Sequence, residues 1–269
     1  FSSRGLGDVY KRQSKDSTMI PIFIAYKKGI SFDMERPTLL YGYGGFNIPI
    51  KPYFNKSNII LLESGGVYAS ANIRGGSEYG QEWHEGGMLL NKQNVFYDFI
   101  YAAKYLFREG ISSPEFLAIR GGSNGGLLVG AVVNQRPDLF RVAFPEVGVM
   151  DMLRYEKFTI GHAWAVEYGT VNNKTFFENL IKYSPLHNIR KDLEYPSIFI
   201  YTADHDDRVV PAHSFKYAAT MQKLQKEGNP KLIRVGKSAG HGAGKPTNKI
   251  IVEAADKWAF MFNEMGIKY

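Results

Sequence analysis

The chain has 269 residues, 44% of them hydrophobic and 22% charged, which is enough apolar material for one large globular domain or two small ones. Its 33 Lys and Arg against 26 Asp and Glu give a formal charge of +7, but the basic residues are dispersed, which argues for a solvated surface and against nucleic-acid binding. The absence of cysteine excludes disulfides and thiolate catalysis, and the six His form neither an HExxH pair nor a cluster with carboxylates, so no metal and no cofactor is expected.

The opening FSSRGLGDVYKRQ (1–13) is rich in Gly, Arg and Ser and lacks sustained periodicity. It reads as a non-native leader, and residues 14–269 as one domain. MIPIFIAY (19–26), PTLLY (37–41) and residues 66–73 are short apolar strands bounded by Gly or Pro. Helix and strand then alternate. Phe96, Phe99, Ile100, Ala103 and Leu106 recur at helical spacing over 95–108. A strand at 116–119 runs into GGSNGG, followed by an apolar helix over 126–134 and a strand over 142–149. Strands are predicted at 197–202 and 231–235, with helices at 212–227 and 248–264. This alternation predicts an α/β protein: a mostly parallel twisted sheet, helices on both faces, and ligands at the carboxyl ends of the strands. Residues 150–196 are expected to leave the sheet and cover that end. No apolar run reaches membrane-spanning length and no signal peptide is visible, so a soluble cytoplasmic protein with no membrane contact is expected.

Gly121-Gly122-Ser123-Asn124-Gly125 fits GxSxG. The motif alone is weak and equally describes a glycine-rich βα turn. Between an apolar strand and an apolar helix, however, it has the setting of the nucleophile elbow of the α/β-hydrolase fold. Ser123 is therefore the candidate nucleophile, in a strained backbone position that leaves little room for flanking Cβ atoms.

A serine nucleophile needs a base, and the base an orienting carboxylate. In this fold they follow in the order Ser, Asp or Glu, His, which rules out His84. After the strand at 197–202, Asp204, Asp206 and Asp207 compete for the acid, and spacing does not choose between them. Each could equally serve a turn or a cap. His241, in the small-residue loop SAGHGAG after the last strand, is the best-placed base; His162, His187, His205 and His213 are placed worse.

The chain resembles the prolyl oligopeptidase family. The matching stretches include LLYGYGGFN (39–47), ANIRGGSEYGQEWH (71–84), GGSNGGLLVG (121–130), NQRPDLF (134–140), GVMDML (148–153), IGHAW (160–164), KYSPLHN (182–188), TADHDDRVVP (202–211) and AGHGAGKPT (239–247). The resemblance implies a Ser123–His241–Asp206 triad, the acid being the first Asp of the DDR run. It also implies an oxyanion hole made by the Tyr43 hydroxyl and the Asn124 backbone N–H. The pocket for the residue before the cut bond would be lined by Phe46, Val149, Trp164, Tyr168 and Val209, with Trp164 flat against a proline ring. From the residues alone these five are as well explained as core. Arg208 would hydrogen-bond a substrate carbonyl; otherwise it is a surface ion pair with Asp207 or Asp204. The implied function is hydrolysis of short proline-containing peptides after proline. The implied partner is a β-propeller domain that this chain does not contain.

Overall fold

The computed structural model describes residues 8–225, 227–242 and 244–268. In chain order these form strands β1 (Asp8–Gln13), β2 (Met19–Tyr26) and β3 (Thr38–Tyr41), helix α1 (Asn58–Glu63), strand β4 (Val67–Ala71), and helices α2 (Gln81–Glu85) and α3 (Lys92–Arg108). Then come β5 (Leu117–Gly122), α4 (Asn124–Gln135), β6 (Val142–Glu146), α5 (Ala165–Tyr168), α6 (Lys174–Tyr183), β7 (Ser197–Ala203), α7 (Ala212–Leu224), β8 (Lys231–Gly236) and α8 (Thr247–Glu264). All eight strands join one sheet in the order β1-β2-β4-β3-β5-β6-β7-β8. Pairings from β4 through β8 are parallel, and β1 and β2 are antiparallel. The expected mostly parallel sheet is therefore present, with an antiparallel hairpin at one edge.

The inner strands β3, β6 and β7 are almost wholly buried because helices cover both faces. Adjacent residues on one strand enter opposite cores, as the pleat requires. Leu40, Ile119, Ala143 and Ile200 join the core on one face, and Leu39, Ala118, Phe144 and Phe199 join α8 side chains such as Trp258 and Phe262 on the other. After β3 the chain steps outward to β4, then crosses back through α3 to β5 on the other side of β3. The strand order thus reverses between β3 and β5, the place where such sheets hold ligands.

Several predicted bounds shift. Residues 1–7 lie outside the described residues, but Asp8–Gln13, set aside with them as leader, is strand β1, paired from Asp8↔Ile24 to Gln13↔Met19. Ladder hydrogen bonds are made by backbone, and a polar composition that argued against a native strand suits a sheet edge. The hairpin turn is also tied down: Arg74 holds Asp16 at 2.5 Å and buried Asp98 at 2.7 Å. The strand predicted over 142–149 stops at Glu146, because Val147 takes φ 41° and turns the chain out of the sheet. Residues 150–196 leave the sheet as expected, in short helical turns, α5 and α6.

Candidate active site

Strand β5 delivers Ser123 directly to the start of α4, at φ 59° and ψ −118°. This left-handed backbone is costly for a residue with a side chain and persists where its surroundings fix it. Here the Ser123 N–H donates to Glu146 O at 2.8 Å, and its carbonyl accepts from Gly126 and Leu127, starting the helix. Two of the neighbouring glycines are required sterically. A Cβ on Gly121 would lie 2.3 Å from Gly125 O, and one on Gly125 2.7 Å from Gly42 O. Gly122 is less constrained, its nearest neighbour being 3.9 Å away.

In the loop after β7 the three competing aspartates have different surroundings. Asp206, buried, faces His241 Nδ1 with Oδ2 at 2.7 Å. Its Oδ1 accepts the backbone N–H groups of Arg208 at 3.0 Å and Val209 at 2.9 Å, so the carboxylate cannot turn. Asp204 does different work. It pairs with His205 Nδ1 at 2.7 Å and accepts the N–H groups of Ser238 and Ala239, fastening the start of the loop that carries His241. Those bonds, from His205 first and Ser238 next, hold its carboxyl well below the usual range. Asp207 is exposed. Of the other histidines, His213 is fully buried, and burial pushes it down to about 4. His187 pairs with Ser184 at 2.7 Å, and His84 with Glu167 at 2.8 Å. Among the described residues the Ser123 hydroxyl is not hydrogen-bonded to His241. Such contacts are often long without substrate and tighten when it binds.

Tyr43 follows β3 across the strand-order reversal from Ser123. Its Cα and ring lie 3.5–3.6 Å from where a Cβ on Gly125 would sit, so it packs against the elbow. Burial pushes its phenol up to about 12, with the charges of Tyr41 and Glu167 adding and Arg208 opposing. At neutral pH the phenol keeps its proton and is a donor. Asn124 is buried, and its side chain donates to Tyr43 O at 2.6 Å.

Three of the five predicted pocket residues, Phe46, Trp164 and Tyr168, are joined by ring contacts, and all five belong to one core. Val149, Tyr168 and Val209 are buried, and half-buried Phe46 and Trp164 pack against the same core. Phe46 meets Trp164 and Tyr168 edge-on, at centroid distances of 6.4 and 5.5 Å. Among the described residues Arg208 forms no ion pair with Asp204, whose partner is His205, or with Asp207, and its charge opposes the rise at Tyr43. Sequence reasoning missed Tyr155, whose ring lies parallel to Trp164 (8° between planes, centroids 6.4 Å apart), and the buried Lys92–Glu167 pair. An aromatic inside the 150–196 excursion was the available signal for the first. Among the described residues no group of His, Asp and Glu is placed to hold a metal ion, and no helix is long and apolar enough to cross a membrane.

A parallel sheet reversing its strand order beside a left-handed serine, with an aspartate-backed histidine at the same strand ends, defines the α/β-hydrolase fold. The sequence profile of the prolyl oligopeptidase family matches residues 52–268, and the chain belongs to that family. It is 54% identical over 256 residues to a prolyl endopeptidase of Elizabethkingia meningoseptica, covering 95% of this chain and 36% of the relative. To the prolyl endopeptidase of Dictyostelium discoideum it is 51% identical over 265 residues, covering 97% and 35%. The solved structure of a post-proline cleaving enzyme from Rickettsia typhi superposes with a TM-score of 0.92 at 37% identity, covering 97% of this chain and 38% of that one. The chain thus spans little more than a third of the length of these relatives.

Proposed function

We propose that this chain is the catalytic part of a serine endopeptidase that cleaves short peptides on the carboxyl side of proline. Ser123 Oγ attacks the scissile carbonyl while His241 Nε2 takes its proton, and Asp206 holds the imidazole in the required tautomer. The Tyr43 hydroxyl and the Asn124 N–H stabilise the oxyanion. Collapse breaks the C–N bond, the proton passes from His241 to the leaving amine, and water hydrolyses the acyl-enzyme by the same route. Proline lies between Trp164, Phe46, Tyr168, Val149 and Val209, and Arg208 hydrogen-bonds a carbonyl of the substrate.

The observation that carries this reading is the 2.7 Å contact from Asp206 Oδ2 to His241 Nδ1, with the other carboxylate oxygen locked by two backbone donors. Post-proline specificity is supported by the aromatic walls around Trp164 and by the named activities of the relatives. A pocket for basic residues would need carboxylates, and the five lining residues carry none. Hydrolysis rates of Gly-Pro-, Gly-Ala- and Gly-Arg-linked fluorogenic amides test the assignment. Preference for Gly-Pro is expected, and equal rates on Gly-Arg would sink it.

We place this activity in the cytoplasm. In a longer parent we expect a β-propeller over the strand ends, admitting only short peptides. Ile48, Ile160 and Val166, within two residues of Phe46 or four of Trp164, are exposed at 45%, 49% and 74%, and such apolar surface suits a covering domain.

A further inference from the structure

Beneath the strand ends lies a charged pair that the reaction does not use. Lys92, at the start of α3, and Glu167, in α5, are almost completely buried, with side chains 1% and 2% exposed. Burying two opposite charges rarely stabilises a fold by itself, because desolvation offsets their attraction. The pair calls for a role beyond stability, and its remaining bonds point to one.

Lys92 Nζ donates to Glu167 Oε1 at 3.1 Å and to the carbonyl of Gly44 at 2.9 Å. The preceding carbonyl, that of Tyr43, accepts from the Asn124 side chain at 2.6 Å. Two consecutive carbonyls of the Tyr43 loop are thus held by two buried donors. Both donors lead to one place. Asn124 Oδ1 accepts from the Tyr168 hydroxyl at 3.0 Å, and Lys92 lies 5.3 Å from the Tyr168 ring, next to its partner Glu167. The far oxygen of Glu167 is occupied by His84 Nε2 at 2.8 Å. The loop has no slack: a Cβ on Gly44 would be 2.4 Å from Val95, and one on Gly45 2.6 Å from the Asn124 amide.

We propose that Lys92 and Asn124 are positioning residues that lock the Tyr43 loop to Tyr168. Filling the pocket beside Tyr168 and placing the Tyr43 hydroxyl for the oxyanion then become one event. This rests on the roles given above to Tyr43 and to the pocket. A substrate residue that fails to press on Tyr168 is penalised in turnover as well as in binding, because the oxyanion donor shifts with the pocket wall. Sub-ångström placement matters, since displacement by about 1 Å can cost about 10²-fold in rate.

The test reads Ser123 reactivity without proline: the rate of its phosphorylation by a small dialkyl fluorophosphate, with fluoride as the leaving group. Lys92→Met combined with Glu167→Gln removes both buried charges together, and Tyr168→Phe removes one hydroxyl at nearly constant volume. Each is made with Tyr43 intact and with Tyr43→Phe. Tyr43→Phe alone should slow labelling by about 10²-fold. With Tyr43 intact, each network variant should slow it by about 10- to 10²-fold. In the Tyr43→Phe background the same changes should matter by no more than about twofold, the limit set by ordinary additivity error. Equal losses in both backgrounds would mean that the network serves general stability, and no loss with Tyr43 intact would mean that it positions nothing. Either overturns the proposal. If the charge-pair variant does not fold, Tyr168→Phe decides. Loss of proline preference in the amide assay would refute the substrate assignment and leave this result standing, whereas unlabelled Ser123 in the unaltered chain would refute both.

Discussion

Asp206→Asn separates the proposed mechanism from a merely structural reading of the loop after β7. The two oxygens of Asp206 have unlike partners: Oδ1 takes the N–H groups of Arg208 and Val209, and Oδ2 faces His241 Nδ1. An asparagine must put its single oxygen toward the two backbone donors, since an amide NH2 there would oppose two N–H groups. Its NH2 then faces His241 Nδ1 and makes that nitrogen an acceptor. The proton moves to Nε2, where it blocks uptake of the Ser123 proton. The same change in a serine protease triad lowers turnover by about 10⁴ with the geometry intact, equivalent to about 5 kcal/mol of barrier. The melting temperature should change little, because size and backbone bonds are kept. The assay is single-turnover hydrolysis of a Gly-Pro-linked fluorogenic amide, alongside Asp207→Asn, whose exposed carboxylate predicts a loss below about tenfold. Turnover by Asp206→Asn within tenfold of the unaltered chain would refute the reasoning, as would a deeper loss in Asp207→Asn.

Tyr43→Phe removes the proposed oxyanion donor and should reduce turnover by about 10²–10³ with KM nearly unchanged; a change confined to KM would place Tyr43 in binding instead. Trp164→Ala opens the wall that packs on Phe46 and Tyr155. It should lower kcat/KM for Gly-Pro amides by about tenfold or more and narrow the preference over Gly-Ala, measured by initial rates on both. Acid stability tests the charges under the sheet. Burial raises the Glu146 carboxyl, but Arg120 and then Lys257 more than offset this, leaving it at about 2 against an ordinary 4.5. A carboxyl lowered by folding contributes stability above its unfolded value and loses it as pH falls through the folded one. Melting temperature should therefore drop between about pH 4.5 and 2. In Glu146→Gln this drop should shrink, with lower stability at neutral pH because Arg120 and Lys257 lose their counter-charge; an unchanged acid profile would contradict the assignment.

The alternation of apolar strands with periodic helices was legible because a parallel sheet buried on both faces demands it, and the predicted strand positions stand within a few residues. The setting of Ser123 was legible because the close approach of the turn to its neighbours leaves room only for glycine at 121 and 125. Choosing among Asp204, Asp206 and Asp207 was not open to spacing. That choice depends on which carboxylate the Arg208 and Val209 N–H groups lock, a matter of loop geometry rather than composition. Strand β1 was missed because edge pairing requires no apolar pattern. Lys92 and Glu167 were invisible for the opposite reason. A Lys opening a helix and a Glu in a loop region read as solvated, and only the packing of α3 against the 150–196 excursion buries them together. Tyr43 and the pocket aromatics could be given roles through family resemblance, since burial alone describes them equally well as core.

Everything proposed for this site depends on Ser123 being the nucleophile of a post-proline peptidase. The most direct test is release of fluorophore from a Gly-Pro-linked amide by the purified chain beside its Ser123→Ala variant, with the acyl-enzyme trapped by acid quench and located by peptide mass. Release is expected from the unaltered chain, none above the uncatalysed rate from Ser123→Ala, and an added acyl mass on the peptide containing Ser123. Release that survives in Ser123→Ala, or an acyl group on any other residue, would contradict it.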